Sequence, residues 1–264
     1  MKQRLDKELL RRGLAGSRSQ AEDTIRRGFV KVKGSVVTKA GYLVNDTTDI
    51  EVKFRTSFVS RAGEKLNSVV ESLQLDFEGK TVLDVGSSTG GFTELALNNG
   101  AKKVIAVDVG TEQMHSSLRG DTRVELHEKT DIRDFKSNQK IDIVVADVSF
   151  ISLRDILPFV AKLVTRDTQI VAMVKPQFEV YAERSRSTGM IRNPSTSSGF
   201  RSVRTRANSL KHKGVIKNDS MRRKIFKEFE TWSQNYFVVV NKADSGVSGA
   251  KGNQERFYLL KKLR

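Results

Sequence analysis

Residues 81–93 read Thr81-Val82-Leu83-Asp84-Val85-Gly86-Ser87-Ser88-Thr89-Gly90-Gly91-Phe92-Thr93. An apolar run followed by a glycine-rich turn is typical of a buried strand that leads into a helix. Glycine in such a turn adopts positive φ and lets a ligand approach the backbone closely. The spacing matches neither G-x-G-x-x-G nor the lysine-containing G-x-x-x-x-G-K-[ST] pattern. We therefore predict a ligand-binding turn of another kind at residues 86–91. The alternative is a turn that only packs a helix on a sheet.

Further apolar runs on both sides of this turn predict the rest of a sheet. The candidate strands are Val82–Val85, Val104–Val107, Ile141–Ala146, Ile170–Val174, Tyr236–Val240 and Phe257–Leu260. Nearly continuous apolar runs separated by helical stretches favour an α/β fold with parallel strands covered on both faces. No long helical stretch separates the last two runs, so we expect those two strands to be antiparallel.

The first 60 residues have a different pattern and predict a separate small α+β domain, followed by a large domain over residues 61–264. Leu5, Leu9, Leu10 and Leu14 have helical spacing, and Gly13 suits the end of that helix. Residues 19–22 have the form of a capping box that opens a second helix, which Gly28 would end. Two short β-like runs follow, at residues 29–32 and 35–37, around a turn at Gly34.

The chain is strongly basic, with 47 Lys or Arg against 31 Asp or Glu and a net charge of +16. Such a surface attracts polyanions, of which nucleic acid is the commonest. The candidate RNA-binding side chains of the small domain are Arg4, Arg11, Arg12, Arg18, Arg26 and Arg27. The alternative for these arginines is a solvated charged face. The Ser-, Thr- and Arg-rich stretch 184–209 predicts a solvated loop that could order on RNA.

Other classes of site and location are disfavoured by composition. The chain has no Cys, which rules out disulfides and thiolate metal sites, and its three His residues are dispersed, so we expect no metal. No apolar run approaches the ~20 residues that a membrane span needs. The first residues lack the apolar stretch of a signal peptide. We expect a cytoplasmic protein that does not enter a membrane.

Polar residues follow or precede several of the predicted strands, where ligands of open α/β sheets bind. Asp84 lies within the first strand, Asp108 ends the second, and Asp131 follows a further β-like run. Asp147 and Lys175 follow two more buried strands, Glu255 precedes the last one, and Lys65 opens the first helix of the large domain. Charged residues are also ordinary strand terminators, so no single one of them decides a function.

The order of residues in the small domain closely resembles the S-four RNA-binding module. The resemblance is carried by Arg4-Leu5-Asp6, Gly13-Leu14-Ala15, Ser17-Arg18, Ala21, Ile25, Gly28, Val30 and Val32. The module presents a basic face of two helices to structured RNA, and contacts of this kind position an RNA without reading its sequence.

The large domain resembles the class I methyltransferases, and among them the FtsJ-like RNA ribose 2′-O-methyltransferases and the TlyA family, also called hemolysin A in older naming. The resemblance is carried by the glycine-rich turn, Asp108-Val109-Gly110, Lys175-Pro176-Gln177-Phe178-Glu179 and Gly252-Asn253-Gln254-Glu255. It implies a Rossmann-like sheet and S-adenosylmethionine as the cofactor. The proposed cofactor-binding residues are Asp84, Gly86, Ser87, Gly90 and Gly91 at the methionine part, Asp108 at the ribose and Asp131 at the adenine amine.

The same resemblance implies four catalytic residues, Lys65, Asp147, Lys175 and Glu255. A ribose hydroxyl is a poor nucleophile until its proton is removed or shared. A lysine can take that proton only as the neutral amine, a form that nearby cations and burial favour and that the carboxylates of Asp147 and Glu255 oppose. We assign Lys175 as the base, Asp147 as its orienting group, and Lys65 and Glu255 as positioning groups, with no metal.

The expected activity is 2′-O-methylation of a ribose, from family resemblance a cytidine, in ribosomal RNA or ribosomal subunits. Three alternatives stay open. A base-methylating enzyme is disfavoured because Asp147-Val148-Ser149-Phe150 stands where adenine N6 enzymes carry Asn/Asp-Pro-Pro-aromatic. The others are a non-catalytic ribosome-assembly protein and a membrane-active protein, the latter suggested only by the older family name.

Overall fold

The computed structural model describes residues 2–15, 18–26, 28–52, 58–180, 215–216, 218–249 and 252–263. The chain divides into two compact units, Met1–Ser57 and Phe58–Arg264. Arg27 and the stretch 184–209 lie outside the described residues. Within the described ranges, every helix is too short or too polar to traverse a lipid bilayer.

The small unit combines two helices with two small sheets. Its elements are β1 (Lys2–Arg4), α1 (Leu5–Arg11), α2 (Arg18–Arg26), β2 (Val30–Val32), β3 (Ser35–Val36), β4 (Leu43–Asn45) and β5 (Ile50–Val52). Strand β1 pairs antiparallel with β4, and a second antiparallel sheet has the order β3-β2-β5. The core consists of Leu5, Leu9, Ala21, Ile25, Val30, Val32 and Val44. Of the leucines that predicted this helix, Leu5 and Leu9 are buried and Leu14 packs against the core, whereas Leu10 is 43% exposed.

Two details of this unit test the local sequence signals. The turn between β2 and β3 has positive φ at Lys33 (51°) and Gly34 (77°), the geometry of a tight hairpin turn that the glycine predicts. The predicted capping box is wrong. Helix α2 begins at Arg18, so Ser19 lies inside its first turn, whereas a capping residue must precede the helix with non-helical backbone angles.

The large unit is built on one sheet of seven strands. They are β6 (Thr81–Val85), β7 (Lys103–Val107), β8 (Val124–His127), β9 (Ile143–Ala146), β10 (Gln169–Val174), β11 (Phe237–Asp244) and β12 (Arg256–Lys262). Their order is β11-β12-β10-β9-β6-β7-β8. Strand β12 runs antiparallel to both of its neighbours, and the other pairs among β6–β10 are parallel. The predicted parallel sheet and the antiparallel final pair are confirmed.

Helices cover both faces of this sheet. They are α3 (Arg61–Asn67), α4 (Gly91–Asn98), α5 (Ser116–Arg119), α6 (Leu157–Leu163) and α7 (Asp219–Ser233), with a 3₁₀ helix at Leu153–Asp155. Neighbouring residues of one strand belong to opposite hydrophobic clusters, as Val82 and Leu83 do in β6. Because successive side chains of a strand point to opposite faces, a strand buried on both faces needs a continuous apolar run.

The strand order brings the carboxyl ends of β6, β9 and β10 and the start of β12 to the same end of the sheet. The chain passes from β6 to β7 on one side and returns to β9 on the other, which opens a crevice at their carboxyl ends. Strand β10 ends at Val174, which pairs with Arg256 at the start of β12. Lys175 and Glu255 therefore meet the same edge of the sheet as Asp147.

The small unit also buries two carboxylates under arginines. Asp6 and Glu8 are both 0% exposed. Hydrogen bonds from Arg4 lower the pKa of Asp6 to about 2, against burial, which raises it. Hydrogen bonds from Arg11 and then Arg12 lower the pKa of Glu8 to about 2, again against burial. These acids are held ionised inside the fold by the cations above them.

We predict that the small unit loses stability in acid through these two groups. Their folded pKa values of about 2 lie below the ordinary values near 4, so their contribution is complete above about pH 4.5 and is lost as the pH falls toward 2. Glu8→Ala should lower the free energy of unfolding by about 2 kcal/mol at neutral pH, because it removes the buried acceptor of Arg11 and one of the acceptors of Arg12. Urea unfolding followed by the amide NMR signal of Leu9 measures both effects.

Glu22→Ala is the matched control, because Glu22 lies on α2 of the same unit and its side chain is 30% exposed. It should change stability by less than about 1 kcal/mol. Equal losses in the two variants would contradict the role assigned to the buried acid.

Candidate active site

A cavity of about 360 Å³ opens at the carboxyl ends of β6 and β9. It is lined by Ser60, Arg61, Ala62, Asp84, Gly86, Ser87, Ser88, Thr89, Phe92, Asp147 and Ser149. These residues come from β6, the glycine-rich turn and the start of α4, from the start of α3, and from the segment after β9. The cavity thus lies at the switch point where ligands of open α/β sheets bind.

The turn at residues 86–89 forms one wall of the cavity. Gly86 has φ +82°, and a Cβ atom there would lie 2.7 Å from the backbone oxygen of Asp147. Only glycine allows this approach of two strand ends. Gly90 and Gly91 do not line the cavity. A Cβ at Gly91 would lie 2.2 Å from Ser60 Oγ, so this glycine lets α4 pack against the start of α3.

Asp84 is a buried acid at the base of the cavity, only 1% exposed. Thr93 Oγ1 donates to its Oδ2 at 2.7 Å, whereas its Oδ1 is buried without a hydrogen-bond partner. Burial raises the pKa of Asp84 to about 7, although the Thr93 hydrogen bond lowers it. Two further lining atoms, Ser60 Oγ and Ser87 Oγ, are also buried and unpartnered. Three unsatisfied polar groups around one cavity indicate that a polar ligand completes it.

Lys175 lies beside the same cavity. Its side chain is 9% exposed, and its Nζ forms an ion pair with Asp147 Oδ1 and donates to Ser149 Oγ at 2.9 Å. Asp147 and Ser149 both line the cavity, so the amine is adjacent to the glycine-rich turn. Sequence reasoning did not assign a role to Ser149. Its position two residues after Asp147, on the same face of an extended segment, is the signal that could have found it.

Lys65 and Glu255 form a second buried ion pair, with Lys65 Nζ 2.6 Å from Glu255 Oε2. Their side chains are 10% and 3% exposed. Lys65 does not open its helix as expected but lies in the last turn of α3, because the helix begins at Arg61. Neither residue lines the cavity. The four predicted catalytic residues therefore form two separate cation–carboxylate pairs.

Glu179 joins the two segments that carry Lys175 and Asp147. It is 2% exposed, and its carboxylate accepts hydrogen bonds from Ser152 Oγ at 2.6 Å and Leu153 N at 2.9 Å. Arg154 Nε lies 3.3 Å from the same carboxylate. Because Glu179 follows Lys175 by one helical turn, these bonds fix the segment after β10 on the segment after β9.

The other predicted cofactor residues lie outside the cavity lining. Asp108 accepts hydrogen bonds from Ser88 N at 2.9 Å and Gly110 N at 2.6 Å, which ties the glycine-rich turn to the end of β7. Asp131 forms a double hydrogen bond with the guanidinium of Arg133 at 2.9 and 2.7 Å. Burial works to raise the pKa of Asp131, but the Arg133 hydrogen bonds outweigh it and lower the pKa.

The candidate RNA-binding arginines of the small unit differ in side-chain exposure and in their hydrogen-bond partners. The side chains of Arg4, Arg11, Arg18 and Arg26 are between 43% and 68% exposed, and each pairs with an acid of α1 or α2. Arg12 is only 22% exposed and donates to the backbone oxygens of Thr48 and Asp46. Arg12 therefore fastens the fold, whereas the other four present guanidinium groups to solvent.

Known proteins resemble between about three quarters and nearly all of this chain. A rRNA (cytidine-2′-O)-methyltransferase TlyA of Mycobacterium tuberculosis is 42% identical over 72% of this chain and 73% of its own. "Hemolysin A" of Brachyspira hyodysenteriae is 37% identical over 96% of this chain and 97% of its own. A solved chain named "Putative hemolysin from Streptococcus thermophilus" has a TM-score of 0.67 and 32% identity, and covers 99% of this chain and 88% of that one.

Two family patterns divide the chain in the same way as its fold. The S4 domain matches residues 3–50, within the small unit. The FtsJ-like methyltransferase pattern matches residues 58–262, which is nearly all of the large unit. This chain belongs to the FtsJ-like methyltransferase family and carries an S4 domain ahead of its methyltransferase unit.

Proposed function

We propose that this enzyme transfers a methyl group from S-adenosylmethionine to the ribose 2′-hydroxyl of a cytidine in ribosomal RNA. The observation that carries the proposal is the Lys175 amine, ion-paired with Asp147 beside the cavity that the Gly86 turn forms. The substrate class is supported by relatives from Mycobacterium tuberculosis and Campylobacter jejuni, both named rRNA (cytidine-2′-O)-methyltransferases. We assign residues 1–60 to RNA binding and residues 61–264 to catalysis.

The cavity fits the amino-acid part of S-adenosylmethionine. Asp84 offers a buried carboxylate oxygen without a partner, which an ammonium group would satisfy. The hydroxyls of Ser60 and Ser87 are available for the carboxylate of the same ligand. Because Gly86 has no side chain, the ligand can approach the backbone at this wall of the cavity. Once bound, the cofactor supplies an electrophilic methyl group on a sulfonium sulfur.

Two acids are proposed for the adenosine part. Asp108 already accepts two backbone hydrogen bonds, and its remaining lone pairs can accept from ribose hydroxyls. Asp131 can accept from the adenine amine, while Arg133 holds its carboxylate in place. Gly90 and Gly91 contribute by seating the helix that follows the turn rather than by touching the ligand.

In its neutral form, Lys175 takes the proton of the 2′-hydroxyl on its Nζ atom as that oxygen becomes a nucleophile, and the ammonium so formed is held by Asp147. Asp147 and Ser149 hold the amine in one orientation, because they contact the same nitrogen from the segment after β9. Glu179 fixes the position of that segment relative to Lys175 through its hydrogen bonds from Ser152 and Leu153. Lys65 and Glu255 act as positioning residues that join α3 to the start of β12. Much of the acceleration should come from this alignment.

RNA is held first by charge. The exposed guanidinium groups of Arg4, Arg11, Arg18 and Arg26 contact phosphates, and the acids below them limit their motion. Arg27, which lies outside the described residues, is assigned to RNA binding from the sequence alone. Near the reacting centre, Phe150 is 69% exposed and directly follows Ser149, so its ring can stack on a nucleobase.

Lys175→Met should abolish the proton transfer while leaving cofactor binding intact. We expect the rate of methyl transfer to fall at least about 100-fold, the usual contribution of a general base. Cofactor affinity, measured by calorimetry, should stay within about threefold of the wild type, because Lys175 does not line the cavity. Methyl incorporation into unmodified ribosomal subunits, with the modified nucleotide mapped by mass spectrometry, measures the activity.

Lys162→Met removes the same charge from an exposed position on α6 and should leave the rate unchanged. Undiminished turnover in Lys175→Met would remove this amine from the mechanism. A modified base, rather than a modified ribose, would contradict the proposed reaction.

Cofactor binding should depend on the ionisation of Asp84. The free carboxyl has a pKa of about 7, and an ammonium ligand binds its ionised form. Affinity should therefore rise about tenfold per pH unit up to about pH 7 and then level off, with proton release on binding below that pH. Calorimetry in buffers of different ionisation enthalpy measures both the affinity and the released protons.

Thr93→Val is the matched variant for this test. It removes the hydrogen bond that lowers the Asp84 pKa. The pH range over which cofactor affinity rises, here called the acidic limb, should therefore move to higher pH. Asp84→Asn should bind weakly with no acidic limb. An unchanged limb in Asp84→Asn would show that another group titrates.

A further inference from the structure

A second cavity, of about 600 Å³, lies elsewhere in the large unit. It is lined by Arg154 of the 3₁₀ helix and by Lys224, Lys227, Glu228, Thr231, Trp232 and Asn235. The lining residues from 224 to 235 recur at spacings of three and four, so they form one face of α7 and its C-terminal end. No residue of this cavity lines the first one.

The lining of the second cavity is basic, with three cations against Glu228 alone. Lys224 Nζ lies 3.6 Å from Glu228 and its side chain is 74% exposed. Arg154 is different, because its side chain is only 10% exposed. Its guanidinium Nε lies 3.3 Å from the Glu179 carboxylate, but among the described residues that Nε is buried without a hydrogen-bond partner. A buried guanidinium at the wall of a cavity favours an anionic occupant.

The same cavity contains a flat aromatic surface. Trp232 is half-buried and packs against Phe229 and Tyr236, with ring centroids 5.8 and 5.6 Å away. These neighbours hold the indole in one orientation while part of it faces the cavity. The side-chain amide of Asn235 donates to Trp232 O at 2.8 Å, which leaves its amide oxygen able to accept. An aromatic platform beside cations is the arrangement that binds an unpaired nucleotide.

We propose that this cavity binds an unpaired nucleotide of the RNA substrate, with its base on Trp232 and its phosphate at Arg154, Lys224 and Lys227. The inference rests on the proposed function, since it assumes that RNA is the substrate. An acidic peptide would satisfy the cations but would make no use of the indole face. The stretch 184–214 of this chain is rich in arginine and holds no acidic residue, so charge repulsion disfavours it as the occupant.

Trp232 provides a direct readout, because it is the only tryptophan of the chain. Single-stranded RNA of about ten nucleotides, titrated into the full-length protein, should quench the tryptophan emission along a saturable curve. The midpoint of that curve should agree with the Kd from fluorescence anisotropy of the same labelled RNA. Excitation at the red edge of tryptophan absorption avoids absorption by the bases.

The double variant Lys224→Gln/Lys227→Gln tests the phosphate contacts. We expect about a tenfold loss of affinity, and a salt dependence of log affinity that is shallower by about one unit or more. Lys102→Gln/Lys140→Gln is the matched control. Lys140 lies 3.8 Å from Asp142 as Lys224 lies 3.6 Å from Glu228, and Lys102 is exposed like Lys227. It should retain both the affinity and the salt slope of the wild type.

The outcomes separate the two proposals. Saturable quenching that weakens only in the cavity variant supports the nucleotide site. If the wild type binds and methylates RNA but its emission is unchanged, or if the two double variants behave alike, the site is overturned and the proposed function stands. If the wild type neither binds nor methylates ribosomal RNA, both proposals fall.

Discussion

The approach of Gly86 to the backbone of Asp147 is the constraint on which the site depends. A Cβ at Gly86 would lie 2.7 Å from that backbone oxygen, so any other residue would separate the ends of β6 and β9. Asp147 forms the ion pair with the Lys175 amine, and Ser149, in the same segment, accepts a hydrogen bond from it. A change of a few tenths of an ångström at the turn would be transmitted to the reacting nitrogen, because close-packed interiors transmit strain. The turn therefore sets both the cavity wall and the place of the base.

Buried acids serve opposite purposes in the two units. In the small unit, Asp6 and Glu8 are saturated by arginines, and their pKa values fall to about 2, so the charge is fixed at every physiological pH. In the large unit, Asp84 has a hydrogen bond on one oxygen and none on the other, and burial raises its pKa to about 7. A carboxyl that changes its charge near neutral pH suits a ligand site better than a structural one.

Sequence patterns predicted the strands that are buried on both faces of the sheet. Strands β6, β7, β9 and β10 are buried on both faces and therefore stand out as apolar runs. Strand β8 alternates Val124 and Leu126 with Glu125 and His127 at the edge of the sheet, and the sequence indicated it only as a β-like run without bounds before Asp131. Strands β1, β4 and β5 have three residues each, too few for a periodic signal. They are defined by pairing with residues about 20 to 40 positions away, which no local pattern contains.

The site shows the same division between local and distant determinants. Asp84, Asp147 and Lys175 could be named in advance because each lies at or next to the end of a buried strand. The roles of Glu179 and Arg12 could not, since both depend on backbone groups that the fold brings to them from distant or adjoining segments. Their residue types did not indicate these structural roles, because glutamates and arginines are ordinarily surface residues.

The unsatisfied polar atoms give the strongest physical reason to regard the turn as a binding site. Each buried group without a partner costs about 1–3 kcal/mol, and Asp84 Oδ1, Ser60 Oγ and Ser87 Oγ all lie on one cavity. A turn that only packed α4 on the sheet would be more stable with apolar residues at these positions. The two hydrophobic clusters on the faces of the sheet supply the stability that tolerates this cost. A ligand that donates to Asp84 and accepts from the two hydroxyls would remove the cost, and the free energy so released would contribute to its own affinity.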